Sequence, residues 1–216
     1  MQIITALLSL AVLMSVNPAS AQKTYLLSVS RHPSVVNIKE QQVDDILAAA
    51  SRMLQKSPGF VNGPDDVACN VTFKRTGPVH TFASPNTPAV ITTKSDRDAV
   101  HAENFDNSVV NVKIVQKIGF CRPQRGTNFA GCSWPESFRS IIVVADQPAP
   151  ELVWPHEFGH QTGLWHRKGL GTALMSPCSL TATNVQVTPS ECSCFRSGPG
   201  TCLAPEPKPF VTCGPP

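Results

Sequence analysis

The 216-residue chain is poor in charge and in aromatic rings: 15% of its residues are Asp, Glu, Lys or Arg, 6% are aromatic, and there is one tyrosine. The formal net charge is only +3, and no basic run or basic-aromatic stripe occurs. The electrostatic footprint of a nucleic-acid binder is therefore missing, and no nucleic-acid partner is expected. Past residue 16 there is no long apolar run, so no segment there reads as a membrane span. No internal repeat is present. Asp65-Asp66 and Asp96-x-Asp98 lack the spacing of a calcium loop and read as solvated turns, so calcium finds no support as a cofactor. Cys192-Ser193-Cys194 has one residue between its thiols, where a thiolate zinc site has two to four, which disfavours a cysteine zinc knuckle.

The chain does have an apolar amino-terminal stretch, many prolines and many cysteines. Ile3 to Val16 is a nearly unbroken hydrophobic run, followed by the small-x-small sequence Ala19-Ser20-Ala21. Residues 1–21 therefore read as a secretory signal peptide, with cleavage after Ala21. The 20 prolines fit a loop-rich extracellular architecture better than a helical bundle. Eight cysteines, an even number, all lie beyond the signal at 69, 121, 132, 178, 192, 194, 202 and 213. In an exported chain this favours up to four disulfides. Cys121 and Cys132 bracket a short loop that one bridge can staple, while the other pairings stay open among the 105 that eight cysteines allow. The expected location is extracellular, or periplasmic in a bacterium, and a monomer is expected.

Chemistry concentrates in residues 156–166, His-Glu-Phe-Gly-His-Gln-Thr-Gly-Leu-Trp-His. On a helix, His156 and His160 lie four apart and project from one face, so both can hold one ion. Glu157 stands beside the first of them and can reach a water on that ion. Gly163 can take a left-handed conformation, end the helix and turn the chain so that His166 returns as a third nitrogen ligand. Three protein ligands leave the fourth tetrahedral position open, as a catalytic zinc site requires. His32, His80 and His101 are scattered and read as surface or loop residues.

The pattern His156-Glu157-x-x-His160-x-x-Gly163-x-x-His166 resembles the metzincin zinc peptidases, which also carry a methionine-containing turn downstream of the third histidine. Thr172-Ala173-Leu174-Met175-Ser176-Pro177 looks like that turn, and its Ala-Leu-Met-x-Pro wording is nearest to the matrixin branch, although no branch is assigned. The resemblance implies zinc on the three histidines, Glu157 as general base, Met175 packed beneath the metal, and Ser176, Pro177 and Cys178 bordering the pocket for the residue after the scissile bond. Two departures stand out. Some branches place a tyrosine two residues after the methionine, where this chain has Pro177, and no pro-segment with a zinc-plugging cysteine is visible.

The expected fold is α+β and metzincin-like. A twisted mixed sheet, with two main helices above the cleft, leads into a disulfide-rich irregular lower subdomain. Residues 22–177 are expected to be the catalytic domain, and residues 178–216 a Cys/Pro-rich segment completing its lower half or forming a tail. Strands are predicted at 24–29, 69–74, 89–92, 109–117 and 138–145, a helix at 39–55, and a metal helix starting near 150–152 with Pro155 in or near its first turn. Little regular structure is predicted after Met175. The expected activity is hydrolysis of protein or peptide substrates by a secreted zinc endopeptidase. Its rivals are a zinc amidase or deamidase on the same scaffold and a non-catalytic binding module with structural zinc.

Overall fold

The computed structural model describes residues 21–57, 66–121, 125–133, 140–167, 171–177, 181 and 183–202. The signal segment apart from Ala21, Pro58 and Gly59 beyond the 39–55 helix, Asp65, Cys178, Cys213 and the chain after residue 202 lie outside the described residues.

In chain order the elements are β1 (Lys23–Arg31), α1 (Glu40–Leu54), β2 (Val71–Arg75), β3 (His80–Thr81), β4 (Val90–Ile91), α2 (Lys94–Ala102), β5 (Val110–Val115), β6 (Lys117–Phe120), β7 (Arg125–Phe129), β8 (Gly131–Cys132), β9 (Ser140–Val144), α3 (Pro150–Thr162) and α4 (Pro189–Ser197). The main sheet runs β2-β1-β5-β9-β8, with β3 continuing the line of β2 along β1. β1, β2, β3, β5 and β9 pair in parallel, and β8 closes one edge antiparallel to β9. A small second sheet has the order β4-β6-β7.

The side-chain period of two decides how the main sheet is covered. Val112, Ile114, Ile141 and Val143 face the principal core, which α1 fills with Val43, Leu47, Ala50 and Leu54, and α3 with Leu152, Val153 and Phe158. Val115 and Ile142 point the other way, into a smaller cluster with Phe82, Ile91, Val100 and Ile118. β9 is covered on both faces, which is why Ile141-Ile142-Val143-Val144 is apolar without alternation.

The α+β architecture, the mixed sheet and the two longest helices, α1 and α3, agree with expectation. Four points differ. The 109–117 strand is two strands: β5 ends at Val115 and β6 starts at Lys117, paired into the other sheet. α2 lies between the strands predicted at 89–92 and 109–117, where no helix is predicted. Thr93 and Asp96 cap its start reciprocally, and Arg97 and Val100 are its only buried residues. Beyond Met175, the lower half contains α4, started by the Thr188–Glu191 capping box with Pro189 in the first turn. Asp66, read as part of a solvated turn, has a fully buried side chain 2.7 Å from Lys56 Nζ. It also accepts the Val187 N–H at 2.8 Å.

Three disulfides join described residues, Cys69–Cys192, Cys121–Cys132 and Cys194–Cys202, with Cα separations of 4.9, 5.5 and 5.3 Å. The second is the local staple expected from sequence. The first ties the start of the β2 segment to α4, and the third fastens α4 to the strap that crosses the end of α3. No helix among the described residues is long and apolar enough to cross a membrane.

Candidate metal centre

α3 begins at Pro150, whose fixed φ and missing N–H suit the first helical position. Pro155 lies a turn further in than expected, inside the helix. There its ring removes one i→i−4 bond. The helix is enclosed almost all round: of the residues from Leu152 to Thr162, only His160 is not fully buried. α1, α4 and the sheet all pack against it.

The helix ends as the glycine spacing suggests. Gly163 has φ +103°. The Gly163 N–H donates to the His160 carbonyl and the Leu164 N–H to the Gly159 carbonyl, both at 3.0 Å. This is a Schellman close, and it reverses the chain. The next two helix carbonyls are capped from outside: Gly200 N–H donates to Gln161 O at 2.7 Å and Cys202 N–H to Thr162 O at 2.8 Å. A β-carbon at 163 would fall 2.5 Å from the Cys202 carbonyl carbon and nearer still to its oxygen, so the position admits glycine alone.

The reversal brings His166 back to the helix. His166 Nε2 lies 3.2 Å from His156 Nε2 and 3.1 Å from His160 Nε2. Zn–N bonds of about 2.0–2.1 Å in a tetrahedron require ligand nitrogens roughly 3.3 Å apart, so the three fit one ion. Their tautomers fit as well. His156 Nδ1 contacts the Leu174 carbonyl and His160 Nδ1 the Leu164 carbonyl, each at 2.7 Å. A carbonyl only accepts, so each Nδ1 carries the proton and each Nε2 presents its lone pair. Burial pushes His156 down to about 4, with the Leu174 carbonyl partly opposing, so this imidazole is neutral near pH 7. Among the described residues, this is the one set of three or more His, Cys, Asp or Glu side chains whose ligand atoms converge. Asp96 caps α2, Asp98 pairs with Lys94 and Arg97, and Asp66 with Lys56.

Glu157 is buried beside β8, on the side of the sheet edge. A β-carbon on Gly131 would fall 2.5 Å from Glu157 Cγ, so the strand passes directly against this carboxylate side chain. Ser133 Oγ donates to the Glu157 carbonyl at 2.8 Å, and Gln161 Nε2 donates to Ser133 Oγ at 2.8 Å, which fixes the helix to that edge.

Met175, 1% exposed, lies in a turn closed by the Ser176 N–H to the Ala173 carbonyl at 3.1 Å. Its sulfur fills the space that a side chain at Gly159 would occupy: a β-carbon there would be 2.5 Å from Met175 Sδ. Ser176 is buried and Pro177 half-buried at the exit of the turn. Gly159, Gly131, and the Leu164 and Leu174 carbonyls were missed by sequence reasoning. A glycine inside a helix was a readable sign of close approach, whereas backbone carbonyls carry no residue-type signal.

Of the remaining histidines, His101 is not a loop residue. It sits on α2 with Nδ1 2.9 Å from Ser140 Oγ, and burial, aided by the nearby Arg97 charge, pushes it down to about 4. The single tyrosine is far from any metal role. Tyr25 OH donates to the Phe195 and Arg196 carbonyls at 2.7 and 3.0 Å, closing the end of α4.

No family model matches the chain, and no curated protein matches it. Solved structures do. A structure of mirolysin in complex with a small compound aligns over 82% of this chain and 92% of its own, at 13% identity and a TM-score of 0.58. Mature mirolysin of Tannerella forsythia in complex with a cleaved peptide aligns over the same shares at 14% identity and a TM-score of 0.52. The fold is metzincin-like. Archaemetzincin of Methanopyrus kandleri also aligns, at 12% identity over 84% of this chain and 98% of its own, but its TM-score of 0.46 is too low to bear on that assignment. The matrixin-like wording of the methionine turn finds no support in the mirolysin structures.

Proposed function

We propose that this chain is an exported zinc-dependent endopeptidase acting on proteins or peptides. The observation that carries this reading is the convergence of three imidazoles, with His166 Nε2 3.1–3.2 Å from the Nε2 atoms of His156 and His160, whose tautomers are set by backbone carbonyls and whose helix also carries Glu157. Zinc bound to the Nε2 atoms of His156, His160 and His166 would supply Lewis acidity and lower the pKa of a bound water toward about 7.

The chain's own groups supply the rest. Glu157 accepts a proton at its carboxylate as water attacks the substrate carbonyl, then returns it to the departing amine nitrogen. Its enclosure by Gly131 keeps the carboxylate on the helix face that borders the sheet edge. Met175 floors the site against Gly159. Ser176 and Pro177, at the exit of the methionine turn, border the pocket for the side chain after the scissile bond. The catalytic unit is residues 22–177, and α4, pinned by the Cys69–Cys192 and Cys194–Cys202 disulfides, belongs to a lower segment that follows it. Export agrees with the three disulfides and with the apolar amino terminus. The cleaved peptide bound by mirolysin supports peptides as the substrate class.

The test is incubation of the purified protein with a proteome-derived peptide library, with and without a chelator, alongside Glu157→Gln. Chelator-sensitive backbone cleavage is expected, and Glu157→Gln should retain zinc and fold while losing about 10²–10⁴-fold in rate. Near-normal hydrolysis by Glu157→Gln would remove Glu157 as the base. Ammonia release without backbone cleavage would replace the peptidase by an amidase.

A further inference from the structure

The first two histidines are preorganised by the helix that bears them, but His166 stands on a loop. Its upstream side is held by the Gly163 reversal. What holds its downstream side is the next residue. The Arg167 N–H donates to the Met175 carbonyl at 2.8 Å. Its guanidinium meets Glu191 as a fork, Nε to Oε1 and Nη2 to Oε2, both at 2.7 Å. This pair is largely enclosed, with side chains 18% and 9% exposed. The Glu191 carboxylate is itself fixed. It caps α4 by accepting from Thr188 N–H at 2.8 Å and Thr188 Oγ at 3.1 Å, and disulfides at Cys192 and Cys194 follow it on the same helix.

We propose that Arg167 and Glu191 are a positioning pair for His166: the fork couples the third imidazole to a disulfide-anchored helix and holds it ready to bind the metal. This rests on the zinc reading of the histidine triad. Arginine suits the role because its planar fork matches both carboxylate oxygens with little rotational freedom left, which the flexible point charge of lysine cannot reproduce. Without the fork, the downstream side keeps the Arg167 N–H bond to the Met175 carbonyl but loses its tie to α4, and metal binding must supply more of the ordering of the loop. Affinity for the ion then falls even where the fold survives. Groups that hold metal ligands in orientation typically change affinity about 10–100-fold when removed.

The experiment measures zinc affinity by competition of the metal-free protein with a chromogenic chelator. The visible absorption of the cobalt-substituted protein and the Tm are recorded beside it. The proteins are the unaltered chain, Arg167→Ala, Arg167→Lys, Glu191→Gln and the double variant Arg167→Ala/Glu191→Gln. We expect about tenfold weaker zinc binding in Arg167→Ala and in Glu191→Gln, a double variant no weaker than the worse single one, an intermediate Arg167→Lys, and an altered cobalt spectrum. Affinities within twofold of the unaltered chain, even with a lowered Tm, would overturn the proposal and leave the pair a structural clasp. If Arg167→Ala fails to fold, Arg167→Lys and Glu191→Gln decide on the same readout. If the unaltered chain takes up no zinc, the triad reading itself falls, a result distinct from equal affinities across the series.

Discussion

Substituting Gly163 by alanine adds a single carbon at the reversal that brings His166 back to the helix. The residue has φ +103°, a conformation that costs an L-residue about 1–2 kcal/mol. The added β-carbon would also lie 2.5 Å from the Cys202 carbonyl carbon. Its oxygen lies nearer still, so that group must retreat by about 2 Å to reach ordinary non-bonded separations. It belongs to the strap whose Gly200 and Cys202 N–H groups cap the end of α3 at 2.7 and 2.8 Å. Losing both bonds adds about 1 kcal/mol each, for a total of about 3–4 kcal/mol. In a domain of this size the Tm is expected to drop by about 6–16 °C, read by thermal melting of the metal-free protein. Gly77→Ala is the control, because a β-carbon there meets nothing within 4 Å. It should stay within about 0.5 kcal/mol of the unaltered chain. If Gly163→Ala melted with Gly77→Ala, the strap would not be held against the turn as described.

Gly131→Ala should cost about 1–3 kcal/mol of stability and lower peptide hydrolysis at least tenfold, because its β-carbon displaces the buried Glu157 side chain (~1.4 kcal/mol per tenfold); unchanged kcat/KM would refute the contact. Asp66→Asn leaves Lys56 buried without its charge partner, so a loss of about 3–5 kcal/mol is expected in denaturant melts. His101 and His156 are both pushed down to about 4 by burial, while in the unfolded chain each titrates near 6.5. The unfolded state therefore binds more protons below pH 6.5. Stability is complete above that value and is lost as pH falls toward 4. His101→Gln should flatten that acid slope in Tm against pH, and an unaltered slope would exclude His101 as a contributor.

The site was more legible in the sequence than the fold around it, because a metal needs particular residue types at fixed spacing whereas secondary structure needs only an average pattern. His156, His160, Gly163 and His166 converge because helix periodicity and one left-handed glycine leave few other outcomes. β1 was visible through its β-rich composition, α1 through apolar periodicity and β9 through an unbroken apolar run. α2 was hidden because Arg97 and Val100 are its only buried residues, although the Thr93–Asp96 cap was a readable start signal. α4 was hidden by its cysteines, which were read as staples when Cys192 and Cys194 also form its buried face. The division between β5 and β6 rests on which strand each one pairs with, and the burial of Asp66 on a lysine and a backbone N–H far away in sequence. Neither is a local property of the chain.

The most direct test is X-ray absorption at the zinc edge on the purified, zinc-reconstituted protein. One ion per chain, bonded to three imidazole nitrogens at about 2.0–2.1 Å and lost in His166→Ala, is the expected result. An ion with sulfur neighbours at about 2.3 Å, or no retained ion, would contradict the three-histidine site.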